Sequence, residues 1–331
     1  MRSSDNITQI MEAFKQVRAV IIGDSMVDVY IMGHVDRISP EAPVPVVSIH
    51  NKESRLGGAA NVAANIKSLG ATPLLISIVG DDADGITLKD LLDKENIESN
   101  LLITDPGRKT TTKTRVLASN HQMMRLDNED IRPVNTETED IIIERVKTIL
   151  ENDAPQVCIF QDYNKGMLSE RIIREITMIC LQKNIPVAVD PKKNNFFAYQ
   201  LCTLFKPNLR ELKENLHVEI SPDNTTTLEE AVRLLQSKLH NGITLLTLSE
   251  YGIFLKSGDQ SIKLPAHVRN IADVSGAGDT VISMASLCLA IKSPLQTLVA
   301  LSNLAGGIVC EYPGVVSIDK EVLIQEAKTI I

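Results

Sequence analysis

Arg18-Ala19-Val20-Ile21-Ile22-Gly23 is a short run, apolar almost throughout and closed by a glycine. A strand with one face in water alternates polar and apolar residues, whereas a strand covered on both faces reads as continuously apolar. The same pattern returns at residues 73–79, 156–161, 185–190 and 243–248. Helix-period segments lie between these runs. Residues 61–69 place Val62, Ile66 and Leu69 on one face and stop at Gly70, a C-terminal cap. Residues 170–183 turn Ile172, Ile173, Ile176 and Ile179 inward, and 136–151 and 228–239 behave likewise. Strands alternating with helices predict βαβ units and an α/β fold with a doubly wound, mostly parallel sheet.

Two stretches, about 28–50 and 110–127, break the alternation. Val29–Met32 and 44–49 read as strands around the turn-rich Ser39-Pro40-Glu41-Ala42-Pro43. Thr112, Thr114, Val116, Met124 and Leu126 alternate with polar neighbours. Both stretches predict antiparallel ribbons that pair into a small β-sheet lid. Such a lid either covers a cleft or buries its apolar face against a second copy. There is no internal repeat, low-complexity segment or linker, so 1–331 reads as a single domain.

Composition narrows the function. The 331 residues are 44% hydrophobic and 23% charged, which excludes a disordered or fibrous chain. The net charge of −8 without a basic run argues against nucleic acid or an anionic membrane. Aromatics at 3% and the absence of Trp leave little for base stacking. Cys158, Cys180, Cys202, Cys288 and Cys310 are odd in number and scattered, and read as reduced, buried thiols. The histidines show no ligand spacing. Residues 1–18 are polar and helical rather than signal-like, and no apolar run reaches the roughly 18 residues of a membrane span. The expected location is the cytoplasm.

Asp273-Val274-Ser275-Gly276-Ala277-Gly278-Asp279-Thr280 precedes an apolar helix over 281–291. Small residues let backbone N–H groups approach a ligand, and a helix N-terminus favours negative charge. That combination suits a phosphoryl group in transfer, with Asp279 able to take a proton from an attacking hydroxyl. A glycine turn with Asp279 as an ordinary N-terminal acid would look the same. A P-loop is excluded, because no Gly-x-x-x-x-Gly-Lys is present. Leu56-Gly57-Gly58-Ala59-Ala60-Asn61 again places small residues at a helix start. It would hold sugar hydroxyls, or simply let helix and sheet pack closely.

Together, segments 57–70 and 273–280 resemble the two signatures of the ribokinase-like (PfkB) carbohydrate kinases, in the family's order. The likeness runs from about Val17 to the last helix. Arg37-Ile38-Ser39-Pro40-Glu41-Ala42-Pro43, Asp162-Tyr163-Asn164-Lys165-Gly166, Asp190-Pro191-Lys192 and Arg125-Leu126-Asp127 are similar to members that phosphorylate D-glycero-β-D-manno-heptose 7-phosphate at O1. Those kinases often form half of a bifunctional protein. This chain resembles the kinase half alone, so no adenylyltransferase domain is expected.

The resemblance implies a ribokinase-like fold and an ATP- and Mg²⁺-dependent sugar-phosphate kinase. Asp279 would be the base, with Gly276, Ala277 and Gly278 stabilising the transferring group. Asp24, Asp28, Gly57, Gly58 and Asn61 would hold the sugar. Lys113, Arg115 and Arg125 would meet its phosphate, although such charges equally protect an edge strand. Lys113 and Arg115 share strand parity and so share a face. Lys192, Asn208, Thr247, Ser249, Gly252, Gly276, Gly278 and Asn303 would bind ATP, and Lys165 faces the same crevice. Around Asn303 the small residues Ala305, Gly306 and Gly307 would also serve helix packing. Glu211, in Asn208-Leu209-Arg210-Glu211, would help hold Mg²⁺, or merely favour a first helical turn. Asp273 and Ser275 stand where a monovalent cation such as K⁺ would bind. A homodimer through the lid is expected. The alternatives are another sugar kinase of this fold, acting on a hexose, a ribose or the opposite heptose anomer, and a catalytically silent sugar-phosphate binder. Two departures stand out: Ser275 where Thr is usual, and Lys193 where Gly would follow Asp190-Pro191-Lys192.

Overall fold

The computed structural model describes residues 3–118 and 121–330. The run at Arg18–Gly23 is strand β1, buried from Ala19 to Gly23. Helix α1 (Ser3–Phe14) precedes it. After it come β2 (Ser25–Ile38), β3 (Pro45–Gly58), α2 (Ala59–Ser68), β4 (Thr72–Ile76), β5 (Ile78–Gly80), α3 (Ala83–Lys94) and β6 (Ile103–Asp105). Then follow β7 (Thr112–Ala118), β8 (His121–Asn128), α4 (Thr136–Asn152), β9 (Val157–Gln161), α5 (Glu170–Gln182), β10 (Val187–Asp190) and β11 (Leu204–Phe205). The remainder is α6 (Leu209–Leu216), α7 (Thr225–Leu239), β12 (Ile243–Thr247), β13 (Ile253–Ser257), β14 (Gln260–Leu264), α8 (Ala277–Ala290), α9 (Leu295–Val309) and α10 (Lys320–Ile330).

An eight-stranded sheet runs in the order β14-β13-β12-β11-β10-β9-β1-β4. From β4 to β12 all neighbours are parallel, and β13 and β14 return antiparallel at one edge. Alternate residues of β1 enter different cores. Ala19 and Ile21 pack with α1, α2, α8 and α9, whereas Val20 and Ile22 pack with α4, α5 and α7. This two-sided cover is the physical reason for the uninterrupted apolar strands. The five cysteines are buried and free. Among the described residues no helix is long and apolar enough to cross a membrane.

The expected strand at 73–79 is two strands. At the break, Ser77 Oγ donates to the Gly23 carbonyl (2.6 Å) and accepts from the Ser25 amide (3.0 Å). A side chain thereby links the chain to the junction of β1 and β2.

The lid is a separate four-stranded sheet, β3-β2-β7-β8. It differs from the expected ribbons in two respects. Its central pair, β2 and β7, is parallel. The strands β2 and β3 also extend far beyond 29–32 and 44–49, and a single residue, Asp24, separates β2 from β1. The inner parts, Val27, Val29 and Leu56, are buried. Farther out, Ile38, Val44, Ile49, Met123, Met124 and Leu126 are exposed.

Candidate active site

The register of the main sheet builds the site. Gly23 lies beside Gln161, and Gln161 beside Asp190. Polar residues that end consecutive apolar strands are thereby lined up at the carboxyl ends of the sheet, where open α/β sheets bind ligands. Opposite them stands the N-terminus of α8. Its N-cap, Gly276, has φ +80°, and a Cβ there would stand 3.0 Å from Asn61 Nδ2 and 3.3 Å from Val315 Cγ1. The backbone conformation favours glycine, and a side chain would crowd Asn61 and Val315.

Asp279 occupies the first turn of α8 and is buried. Its carboxylate accepts three hydrogen bonds from separate parts of the chain: Asn61 Nδ2 (2.8 Å), Gln161 Nε2 (3.0 Å) and the Tyr163 hydroxyl (2.7 Å). Burial pushes its pKa up to about 6, against the pull of the Asn61 and Tyr163 bonds and of Lys206, while Asp190 adds to the rise. A carboxylate with that affinity for protons suits general base work near neutrality. Beside it, buried Asp190 pairs with buried Lys206 (3.0 Å) and accepts from Gln161 Nε2 (3.3 Å).

Of the residues expected on the nucleotide side, Lys192, Asn208, Glu211 and Thr247 lie together. Asn208 and Glu211 form a capping box at the start of α6: Asn208 Oδ1 accepts from the Glu211 amide (2.8 Å) and Glu211 Oε2 from the Asn208 amide (2.9 Å). The other oxygen of Glu211 meets Lys192 Nζ at 2.6 Å. Burial works against the Lys192 charge, but Asp190, Glu211 and Asp279 outweigh it and hold the ammonium well above its ordinary range. The strand β12 ends at Thr247, bridged to Asn208. Ser249 begins a 3₁₀ turn that Gly252 closes at φ +87°. Asn303 instead donates to the Pro265 carbonyl (2.8 Å). Gly306 lies against Val281 and Gly307 against Arg269, so close packing accounts for that stretch. Lys193 opens a short 3₁₀ turn, Lys193–Asn195. Asp273 accepts from the amides of Ser275 (2.9 Å) and Gly314 (3.0 Å); these bonds outweigh burial and hold its carboxyl below the usual range.

Lys113 and Arg115 lie on β7, next to the inner part of β2. Asp28 lies beside Lys113 and Tyr30 beside Arg115 in the ladder. Arg115 pairs with Asp28, and both Arg115 and Arg55 lie over the Tyr30 ring (5.3 and 5.0 Å). Lys113 lies over the Tyr163 ring at 5.5 Å. Arg125 is turned to Asp127 (2.8 Å) and Lys165 to Glu129 (2.6 Å), so these two carry their own counter-ions. Asp24 differs from the sequence expectation. Its oxygens accept from the amides of Tyr163 (2.9 Å), Lys165 (3.0 Å) and Met167 (3.4 Å), so it grips the following loop instead of presenting a free carboxylate. Burial, with Asp162 nearby, raises its pKa to about 6. Gly57 and Gly58 make room for the aspartates: a Cβ would lie 2.2 Å from Asp28 Oδ2 or 2.3 Å from the Asp24 carbonyl.

Sequence reading missed Gln161, Tyr163, Asp190 and Lys206 as members of this cluster. The available signal was a polar residue ending each of three apolar strands: Phe160-Gln161, Val189-Asp190 and Phe205-Lys206.

The chain belongs to the pfkB family of carbohydrate kinases, whose family model matches residues 17–321. It is 39% identical over 295 residues to the bifunctional protein HldE of Campylobacter curvus, covering 89% of this chain and 62% of that protein. It is 37% identical to the HldE of Syntrophotalea carbinolica, covering 96% and 64%. The chain thus spans less than two thirds of these relatives. Among solved structures it is similar to Escherichia coli phosphofructokinase-2 in complex with potassium (TM-score 0.78, 19% identity, 95% and 99% covered). It is also similar to Arabidopsis thaliana ribokinase complexed with ribose and ATP (TM-score 0.74, 16% identity, 94% and 98% covered). The fold is ribokinase-like, and the protein is a sugar kinase.

Proposed function

We propose that this kinase transfers the γ-phosphate of ATP to O1 of D-glycero-β-D-manno-heptose 7-phosphate, giving the 1,7-bisphosphate used for nucleotide-activated heptose in lipopolysaccharide. The observation that carries the reading is Asp279. It is a buried carboxylate with raised proton affinity, seated in the first turn of a helix that opens with Gly276. It would take the proton of the anomeric hydroxyl as that oxygen attacks phosphorus. The amides at Gly276, Ala277 and Gly278 and the helix dipole would stabilise charge on the transferring group. Lys113 and Arg115 would meet the sugar's own phosphate, with Asp28 holding Arg115 in place. Lys192 would face the nucleotide phosphates. The relatives named HldE support the heptose assignment.

A hard divalent cation takes oxygen ligands, commonly one or two carboxylates completed by phosphate and water. Among the described residues no group of three or more His, Cys, Asp or Glu could hold a metal ion. Glu211 is the acid proposed for Mg²⁺ that arrives with ATP, although in this structure its oxygens meet Lys192 Nζ and the Asn208 amide. Glu211 would hold it, partly through water, and the ion would offset phosphate charge. A monovalent cation such as K⁺ is proposed near the 273–275 turn, and stimulation by K⁺ over Na⁺ tests it. The exposed lid residues Ile38, Ile49, Met124 and Leu126 support a homodimer in which two lids pack together. Buried free thiols support a cytoplasmic location.

Phosphorus NMR after incubation with ATP, Mg²⁺ and heptose 7-phosphate tests the reading. A new anomeric phosphate signal is expected. Preferential turnover of an unphosphorylated hexose or of fructose 6-phosphate overturns the heptose assignment.

A further inference from the structure

We infer that Tyr163 is a positioning residue of this site: its hydroxyl orients the Asp279 carboxylate, and its ring is the shared platform for Lys113 of the lid and Lys192 of the nucleotide side. Three contacts made by this one side chain carry the inference. The phenol donates to Asp279 Oδ1 at 2.7 Å. Lys113 Nζ stands 5.5 Å and Lys192 Nζ 5.4 Å from the ring centroid. Cations at that range are attracted to an aromatic face. The side chain is therefore in contact with the base and with one cation from each phosphate-binding side. The role rests on the kinase reading above, because Asp279 acquires a base's task only there.

The loop bearing Tyr163 is held from several directions. Asp24 accepts from its amide. Asp162 accepts from the Asn164 amide (2.8 Å) and from the Tyr199 hydroxyl (2.7 Å). Arg108 donates to the Lys165 carbonyl (2.8 Å), and Gly166 has φ +86° with the Arg132 carbonyl where a Cβ would be. Burial and the Asp279 and Asp190 carboxylates keep the phenol protonated far above neutrality, so it remains a donor at every working pH.

Oδ1 of Asp279 accepts from both Gln161 and Tyr163, and Oδ2 from Asn61 alone. A carboxylate oxygen has two lone pairs. Tyr163 thus completes Oδ1 and leaves the spare lone pair on Oδ2, which fixes the oxygen that receives a substrate proton. The charged groups around the carboxylate are Asp190, Lys206 and Lys192, with Asp28 acting on the phenol. None of them changes in the variant below.

The test compares Tyr163→Phe with Tyr163→Leu. Phe keeps the platform and removes the donor, so the acid limb of kcat/KM should move up by about one pH unit, the scale of one charge-assisted bond lost from a buried carboxylate. Both KM values should stay within about twofold of wild type. Leu removes the platform too, and should raise KM for ATP and for the phosphorylated sugar together. Independently of turnover, carbon NMR of aspartate-labelled free protein, assigned with Asp279→Asn, should show the Asp279 midpoint rising in the Phe variant. An unmoved acid limb and midpoint in the Phe variant would refute the orienting role. Leu kinetics equal to Phe kinetics would refute the platform. A wild type that phosphorylates no sugar, with the NMR midpoint still shifting, would instead sink the kinase reading and leave the contact standing.

Discussion

Replacing Asp279 with Asn removes a proton acceptor without changing side-chain volume. A positioned general base contributes about 10²–10⁴-fold, or about 2.7–5.5 kcal/mol of barrier at 1.36 kcal/mol per tenfold. The fold should tolerate the change. Raising a carboxyl from 3.8 to about 6 costs its charged, folded form about 3 kcal/mol at pH 7. With a raised native pKa, that stability is fully present below 3.8 and is lost as the pH climbs through about 6. An uncharged Asn escapes the loss, which offsets the imperfect pairing of Asn61, Gln161 and Tyr163 around an amide. A coupled ADP-release assay should show kcat down at least a hundredfold and sugar KM nearly unchanged. The urea midpoint at pH 7 should not be lowered. Wild-type kcat/KM should fall about tenfold per pH unit below about 6, and the residual activity of the variant should lack that limb. A variant working within tenfold of wild type would refute a general base at this position.

Gly276→Ala places a Cβ at φ +80° and 3.0 Å from the Asn61 nitrogen that holds Asp279; kcat should fall tenfold or more, and unchanged turnover would mean the turn is not strained by a side chain. Lys206→Met removes the ammonium 3.0 Å from buried Asp190; urea unfolding should show a loss of about 3–5 kcal/mol, and a loss under 1 kcal/mol would count against the pair. Leu126→Glu and Ile49→Glu place charge on the exposed apolar lid; sedimentation should report a dimer for wild type and a monomer for the double variant, and a monomeric wild type at micromolar concentration ends the dimer proposal.

The main sheet was legible because its strands are buried on both faces, which removes polar residues from them. The turn at Gly276 was legible because few other residues tolerate its φ of +80°. The lid was read short because the missed parts carry no apolar alternation: the buried start of β2 at 25–28 and its largely exposed end at 33–38, and in β3 the polar run 50–55 that leads into Leu56-Gly57-Gly58. The parallel pairing of β2 with β7 had no local signal, since the partners lie far apart in sequence. The cluster around Asp279 was half visible. Asp279 and Asn61 stand in motifs, whereas Gln161 and Lys206 converge only through strand register. The amide bonds of Asp24 were not legible, because an acid beside a cleft looks the same whether it meets a ligand or three backbone amides.

The junction of β1 and β2 fastens the lid to the main sheet. One residue joins β1 to the lid, and across from it Gly58, at φ +60°, ends the returning strand. On these two strands the passage from one sheet to the other is therefore only a residue or so long. The Asp24 carboxylate at that seam also holds the amide of Tyr163, so the joint between the two sheets and the phenol beside the base share one anchor.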